Sequence, residues 1–336
     1  MRALVTGGAG FLGSHFVRDW LGTDRGELFN LDLLTYAGSP GRVADVADDA
    51  RYGFGHADVA DAGAVSDAFR RFRPDVVVHF AAESHVTRSE RDPEAFTRTN
   101  VAGTRVMLEA AAVAGVSRFV HISTDEIYGP RKEGQFREEE KLPGEGRATS
   151  PYARSKALAD DLAVEFRSEL DVVVLRPTNC FGPWQYPEKA FARWVTRVLS
   201  GRTLPVWGGG GQVRQWLYAG DLVRAVHTVL DARTVEPVYN VGPRHSPEIT
   251  NKDLATWLLT YLGLPAETLV LTEYDRPNHD ARYAVDPGRI ERLGWRPGDV
   301  WDRFGETVEW YRGHEDWWTP LVDDAESIYT DLEPFR

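Results

Sequence analysis

Two periods of apolar and polar positions run along the chain. Short apolar runs sit at Arg2–Thr6, Leu28–Leu31, Tyr52–Ala57, Asp75–Phe80, Arg118–Thr124, Asp171–Arg176 and 237–241. Two of them, Asp75-Val-Val-Val and Asp171-Val-Val-Val, are β-branched side by side and predict parallel strands buried on both faces. Between the runs lie segments of helical spacing: one ending at Leu21, then 61–72, 92–114, 151–169, 221–231, 250–262 and one from about 302. Pro151 sits in the first turn of its helix, where a missing N–H costs nothing. Strand and helix alternate as far as 177, so the pattern predicts an α/β fold, a doubly wound parallel sheet with a smaller, mixed C-terminal domain. The first domain is expected to be 1–177, with 214–241 returning to it. The second is expected to be 178–213 with 242–320, and 321–336 to be a tail. Residues 130–150 are polar and read as a loop or lid, with Glu138–Glu140 a solvated face. Gln185–Lys189 reads as the opening of a helix, and Gly208–Gly211 as a flexible run. No internal repeat or low-complexity segment is present.

Composition narrows the partners. The 336 residues suit two domains at about 150 residues each. A net charge of -12 without a Lys/Arg-rich run argues against nucleic acid and against an anionic membrane surface. One cysteine, Cys180, excludes a disulfide framework and a cysteine-based metal site. No apolar run is long enough for a bilayer, so a soluble, cytoplasmic setting is expected. No metal is expected. Trp310, Trp317 and Trp318 mark a packed tail or an interface.

The first candidate chemistry follows the first strand. Gly7, Gly10, Phe11, Leu12 and Gly13 stand between that strand and the first helix. Gly7 allows the turn, Gly10 lets a pyrophosphate reach the backbone, and Gly13 lets helix pack on strand. The helix N-terminus offers N–H groups to the phosphates. Asp32 ends the second strand, where a carboxylate bonds ribose hydroxyls and repels a 2′-phosphate; with no Arg directly after it, NAD is favoured over NADP. This is a Rossmann-type signature. Asp58 faces the adenine or caps the helix 61–72. Ala81 and Ala82 leave room for a flat cofactor, and Asn100 is a candidate buried amide.

Thr124-Asp125-Glu126 puts two acids at the end of a buried strand, where each must be solvated, paired or protonated. They are chemistry, or they enter a solvated loop. Tyr152 and Lys156 share a helix face, so the ammonium can lower the phenol toward use as a base.

Thr6–Gly13, Thr124–Glu126 and Tyr152-x-x-x-Lys156 together resemble the extended short-chain dehydrogenases that act on nucleotide sugars. Asn30–Gly38, His79–Val86, Tyr186–Lys189 and Arg276–Asp280 resemble the dTDP-glucose 4,6-dehydratases among them. The resemblance implies C4 oxidation by NAD, loss of water across C5 and C6, and reduction at C6. It assigns Tyr152 as base with Thr124 and Lys156 supporting, Glu126 as the C5 base and Asp125 as the acid. It implies substrate contacts at Glu83, His85, Asn179, Glu188, Lys189, Arg214, Arg276 and His279, and a homodimer through a four-helix bundle of 92–114 and 151–169. A 4-epimerase on the same scaffold, or a dehydratase of a modified sugar nucleotide, is the alternative. Cys180-Phe181 and Pro243–Ser246 depart from the usual pattern and are expected on the nucleotide side.

Overall fold

The structure is a computed structural model that describes residues 1–140, 148–274 and 280–329. In chain order it begins β1 (Arg2–Thr6), α1 (Phe11–Leu21), β2 (Glu27–Asp32), β3 (Tyr52–His56), α2 (Ala62–Phe72) and β4 (Val76–His79). α3 (Val86–Arg91) and α4 (Pro93–Phe96) follow; α4 runs through a π-helical stretch, Thr97–Gly103, into α5 (Thr104–Ala114). Next are β5 (Arg118–Ile122), α6 (Pro151–Glu165) and β6 (Val172–Pro177). The predicted single helix 92–114 is therefore widened in its middle. Such π turns are frequent at functional sites, and this one carries the buried Asn100.

Seven parallel strands form the main sheet, in the order β11-β6-β5-β4-β1-β2-β3, with β11 spanning Val238–Val241. The order reverses beside β1, which opens a crevice at the carboxyl ends of β1 and β4. Successive residues of β4 explain the double burial. Val76 and Val78 join Phe16, Trp20, Val226 and Val229 on one face. Val77 joins Val65, Phe69, Met107, Leu108 and Leu162 on the other. Helix 219–231, whose Val226 and Val229 enter that first core, lies beside α1 before β11 adds to the sheet edge.

After β6 come β7 (Asn179–Phe181), α7 (Ala190–Leu199), β8 (Leu204–Val206), β9 (Val213–Arg214), β10 (Trp216–Tyr218) and α8 (Ala219–Asp231). Beyond β11 are β12 (Ile249–Thr250), α9 (Asn251–Leu262), β13 (Leu269–Leu271), α10 (Gly288–Arg292), α11 (Val300–Gly313) and α12 (Glu315–Ser327). Small two-stranded sheets β7–β10, β8–β13 and β9–β12 join these pieces. Phe181, Phe191, Trp194, Trp216, Phe304 and Tyr311 fill their shared core.

One expectation needs correction here. Gln185–Lys189 does not open a helix; α7 starts at Ala190. Pro187 disfavours helical dihedrals at Tyr186. Residues 321–327 complete α12, whose Trp318, Val322 and Ala325 are buried, and Ile328 and Tyr329 are buried after it.

Candidate active site

The glycine turn is built as the spacing requires. Gly7 has φ +68°, and a Cβ there would meet the Ala81 nitrogen at 2.8 Å. A Cβ on Gly13 would lie 2.2 Å from the Gly7 carbonyl oxygen, so α1 can start only with glycine at this point. Asn30 and Asp32, at the end of β2, accept from the N–H groups of Gly8 (3.0 Å) and Ala9 (2.8 Å), and Asp32 also accepts from Leu34 (2.8 Å). Burial raises the Asp32 carboxyl, and the two donors hold it back. Thr6 Oγ1 meets His79 Nδ1 at 2.7 Å and accepts from the Ala81 N–H, which fixes the loop carrying Ala81 and Ala82. These parts wall one long cleft, lined by Gly7, Gly10, Phe11, Leu12, Gly13, Asp32, Asp58, Ala81, Ala82, Glu83, Tyr152 and Lys156.

Asp58 lines this cleft while pairing with Arg98 at 2.7 Å; the cap of α2 is Asp61 instead. Asn100 does not line it. Its amide is buried, accepts from the Glu83 N–H (2.9 Å), and donates to the Glu83 carbonyl (3.0 Å) and to Ser155 Oγ (2.8 Å). It therefore holds the Glu83 loop to the helix of Tyr152.

A second cleft shares Glu188 and Lys189 with the first and adds His85, Glu126, Asn179, Arg193, Trp207, Arg214, Asn251 and Tyr329. Glu188 is 2% exposed and accepts from Tyr36 Oη (2.7 Å) and Arg88 Nε (3.1 Å). Lys189 Nζ donates to the Ser84 carbonyl at 2.6 Å. Arg214 donates to the Asp280 carbonyl and lies over the Tyr283 ring. Two expected contacts, Arg276 and His279, lie outside the described residues.

The clefts meet at the end of β5. Thr124 Oγ1 accepts from the Glu126 N–H and so caps the single turn Asp125–Tyr128. That turn puts Asp125 inside, 2% exposed, and Glu126 partly in the second cleft. Burial first, and Glu126 second, push the Asp125 carboxyl up to about 8. Oδ2 of Asp125, Oγ of Ser123 and Oδ1 of Asn179 have no hydrogen-bond partner among the described residues. Buried polar atoms left this way point to a ligand that completes them.

Lys156 Nζ donates to the Ile122 carbonyl at 2.6 Å, and burial lowers its ammonium to about 8. Burial and Glu126 raise the Tyr152 phenol, and the bond with Thr124 opposes them. Cys180 packs against the core of the main sheet and donates to the Thr178 carbonyl. Pro243–Ser246 lines a surface pocket, and Arg244 and His245 line another together with Arg214.

Tyr36, Arg88, Arg193, Trp207, Asn251 and Tyr329 are in neither site as the sequence predicts it. Tyr36 lies inside Asn30–Gly38, whose likeness to the dehydratases is the signal for it; the others join only through the tertiary fold. Among the described residues no group of His, Cys, Asp and Glu is arranged to hold a metal ion, and no helix is long and apolar enough to cross a membrane.

Residues 3–242 match the NAD dependent epimerase/dehydratase family. The chain belongs to this family. Among its relatives, the dTDP-glucose 4,6-dehydratase of Streptomyces niveus is 43% identical over 97% of both chains. Of solved structures, DesIV, a dTDP-glucose 4,6-dehydratase from Streptomyces venezuelae with NAD bound, superposes with a TM-score of 0.90 at 43% identity. The match covers 96% of this chain and 100% of that one. A UDP-glucose 4-epimerase from Thermus thermophilus, also with NAD, matches at TM-score 0.82 and 34% identity, covering 94% and 100%. In the epimerase/dehydratase fold of this chain, the glycine turn, Asp32 and the lone Ser123 hydroxyl fit a dinucleotide in the first cleft.

Proposed function

We propose that this chain is an NAD-dependent dTDP-glucose 4,6-dehydratase. The observation that carries the reading is the acid pair: Asp125 is held protonated through neutral pH, directly beside a Glu126 that reaches the second cleft. A carboxyl kept as an acid next to a second carboxyl that lines the cleft and serves as base is what elimination of water needs. The full-length similarity to named dehydratases supports the same reading.

NAD, when bound, supplies a hydride acceptor at C4 and a hydride donor at C6. Tyr152 takes the C4 hydroxyl proton, with Thr124 bonded to the same oxygen. Lys156, anchored on Ile122, keeps α6 against β5 and holds the cofactor ribose. Since the chain alone raises the phenol, positive charge brought by the bound cofactor is part of its activation. Once C4 is a ketone, C5–H is acidic; Glu126 removes that proton while Asp125 gives its own to the C6 hydroxyl, which leaves as water. Glu126 then returns a proton to C5. The product is a 4-keto-6-deoxy sugar nucleotide. Glu188, Lys189, Asn179 and Arg214 face the sugar and diphosphate, with Glu83 and His85 at the junction and Arg276 and His279 assigned by resemblance.

A 4-epimerase on the same fold is the second reading, and the Thermus structure is what favours it. Incubation with dTDP-glucose separates the two: a dehydratase yields a product lighter by one water, an epimerase one of equal mass. The chain acts as a soluble cytoplasmic homodimer through helices 93–114 and 151–165, whose surfaces leave Val113 and Leu158 exposed. Light scattering at the monomer mass would contradict that arrangement.

A further inference from the structure

The stretch Trp184–Lys189 forms the wall between the two clefts and has neither helix nor strand of its own. Its position is set from the far end of the chain. The Trp184 ring packs against Trp310 (centroids 4.7 Å apart) and Trp317 (5.2 Å). Tyr311 Oη donates to the Gln185 carbonyl at 2.6 Å. Tyr186 Oη donates to Asp324 at 2.6 Å. Tyr329 Oη donates to the Glu188 carbonyl at 2.5 Å. Glu326 holds the next helix through Arg193 and Arg197.

Tyr329 does more than close this series. Its oxygen lies 3.1 Å from His85 Nε2, on the loop after β4. A phenol has one proton, and here it goes to the Glu188 carbonyl, so Nε2 of His85 is the donor to the oxygen. That tautomer agrees with His85 Nδ1 accepting from the Arg88 N–H. One hydroxyl thus joins two loops that line the second cleft, and its ring, stacked under the Arg193 guanidinium at 3.9 Å, lines that cleft too.

We propose that Tyr329 is a positioning residue for the nucleotide sugar, setting the width of the second cleft by tying His85 to the Glu188 backbone. The inference rests on reading that cleft as the nucleotide-sugar site. Tyr329→Phe removes the hydroxyl and keeps the ring. Titration of dTDP into the NAD-loaded protein, beside steady-state kinetics with dTDP-glucose, tests it. The expected result is a rise on the order of tenfold in both the dTDP Kd and the dTDP-glucose KM, equivalent to about 1.4 kcal/mol, with kcat and NAD affinity unchanged. Unchanged Kd and KM would overturn it. So would a loss of thermal stability with dTDP affinity intact, which would leave Tyr329 a purely structural role. If the wild-type protein itself ignores dTDP, the reading of the cleft fails, and the inference with it.

Discussion

Lys156 Nζ and the Ile122 carbonyl lie 2.6 Å apart, which fixes the helix of Tyr152 to the strand that delivers Thr124, Asp125 and Glu126. Lys156→Met keeps the length of the side chain and removes both the charge and this bond. Steady-state assays should show kcat lower by roughly 10²–10⁴, the range for a group that supports proton transfer. A variant with near wild-type kcat would remove Lys156 from the mechanism.

Burial holds Lys156 at about 8, and burial with Glu126 holds Asp125 at about 8. Both residues are needed in their protonated forms, so kcat/KM should fall as pH rises through about 8. The profile of the free enzyme reports these groups. A flat profile to pH 9.5, on the order of the ordinary lysine range, would contradict the assignment.

The raised Asp125 carboxyl also has a stability consequence. Its folded value of about 8 stands above the usual 3.8, so the folded chain holds a proton that the unfolded chain has released. That contribution is complete below about 4 and is lost as pH rises toward 8. Asp125→Asn removes the titration. Urea midpoints should therefore shift in favour of the variant between pH 5 and pH 8 (roughly the window that linkage sets), while dehydration is lost. An equal gap at both pH values would mean that Asp125 is ionised in the fold.

Asn100→Ala should loosen the Glu83 loop. It strands the Glu83 N–H and carbonyl and the Ser155 hydroxyl, at a cost of about 1–3 kcal/mol for buried groups left unpaired. Denaturant unfolding measures that cost, and NAD affinity should fall with it. Neither change would appear if Asn100 were a solvent-facing helix residue.

Much of this site is legible in the chain because its parts are local. Gly7, Gly10, Gly13 and Asp32 fall within one strand-turn-helix-strand unit, and the valines of β4 declare a strand covered on both faces. Thr124–Glu126 lies on one capped turn. What the sequence does not reveal is long-range. Tyr329 and His85 are 244 positions apart, and Tyr36 reaches Glu188 across 152; no periodicity encodes either pairing. The π stretch around Asn100 reads as ordinary helix in the pattern, since its apolar spacing changes little.

Elimination through C5 by Glu126 and Asp125 is tested by the mass of the sugar nucleotide after the protein, loaded with NAD, acts on dTDP-glucose in deuterated water. Loss of one water with one deuterium fixed on carbon is the expected result. An unchanged mass with inverted C4 would contradict it and make the protein a 4-epimerase.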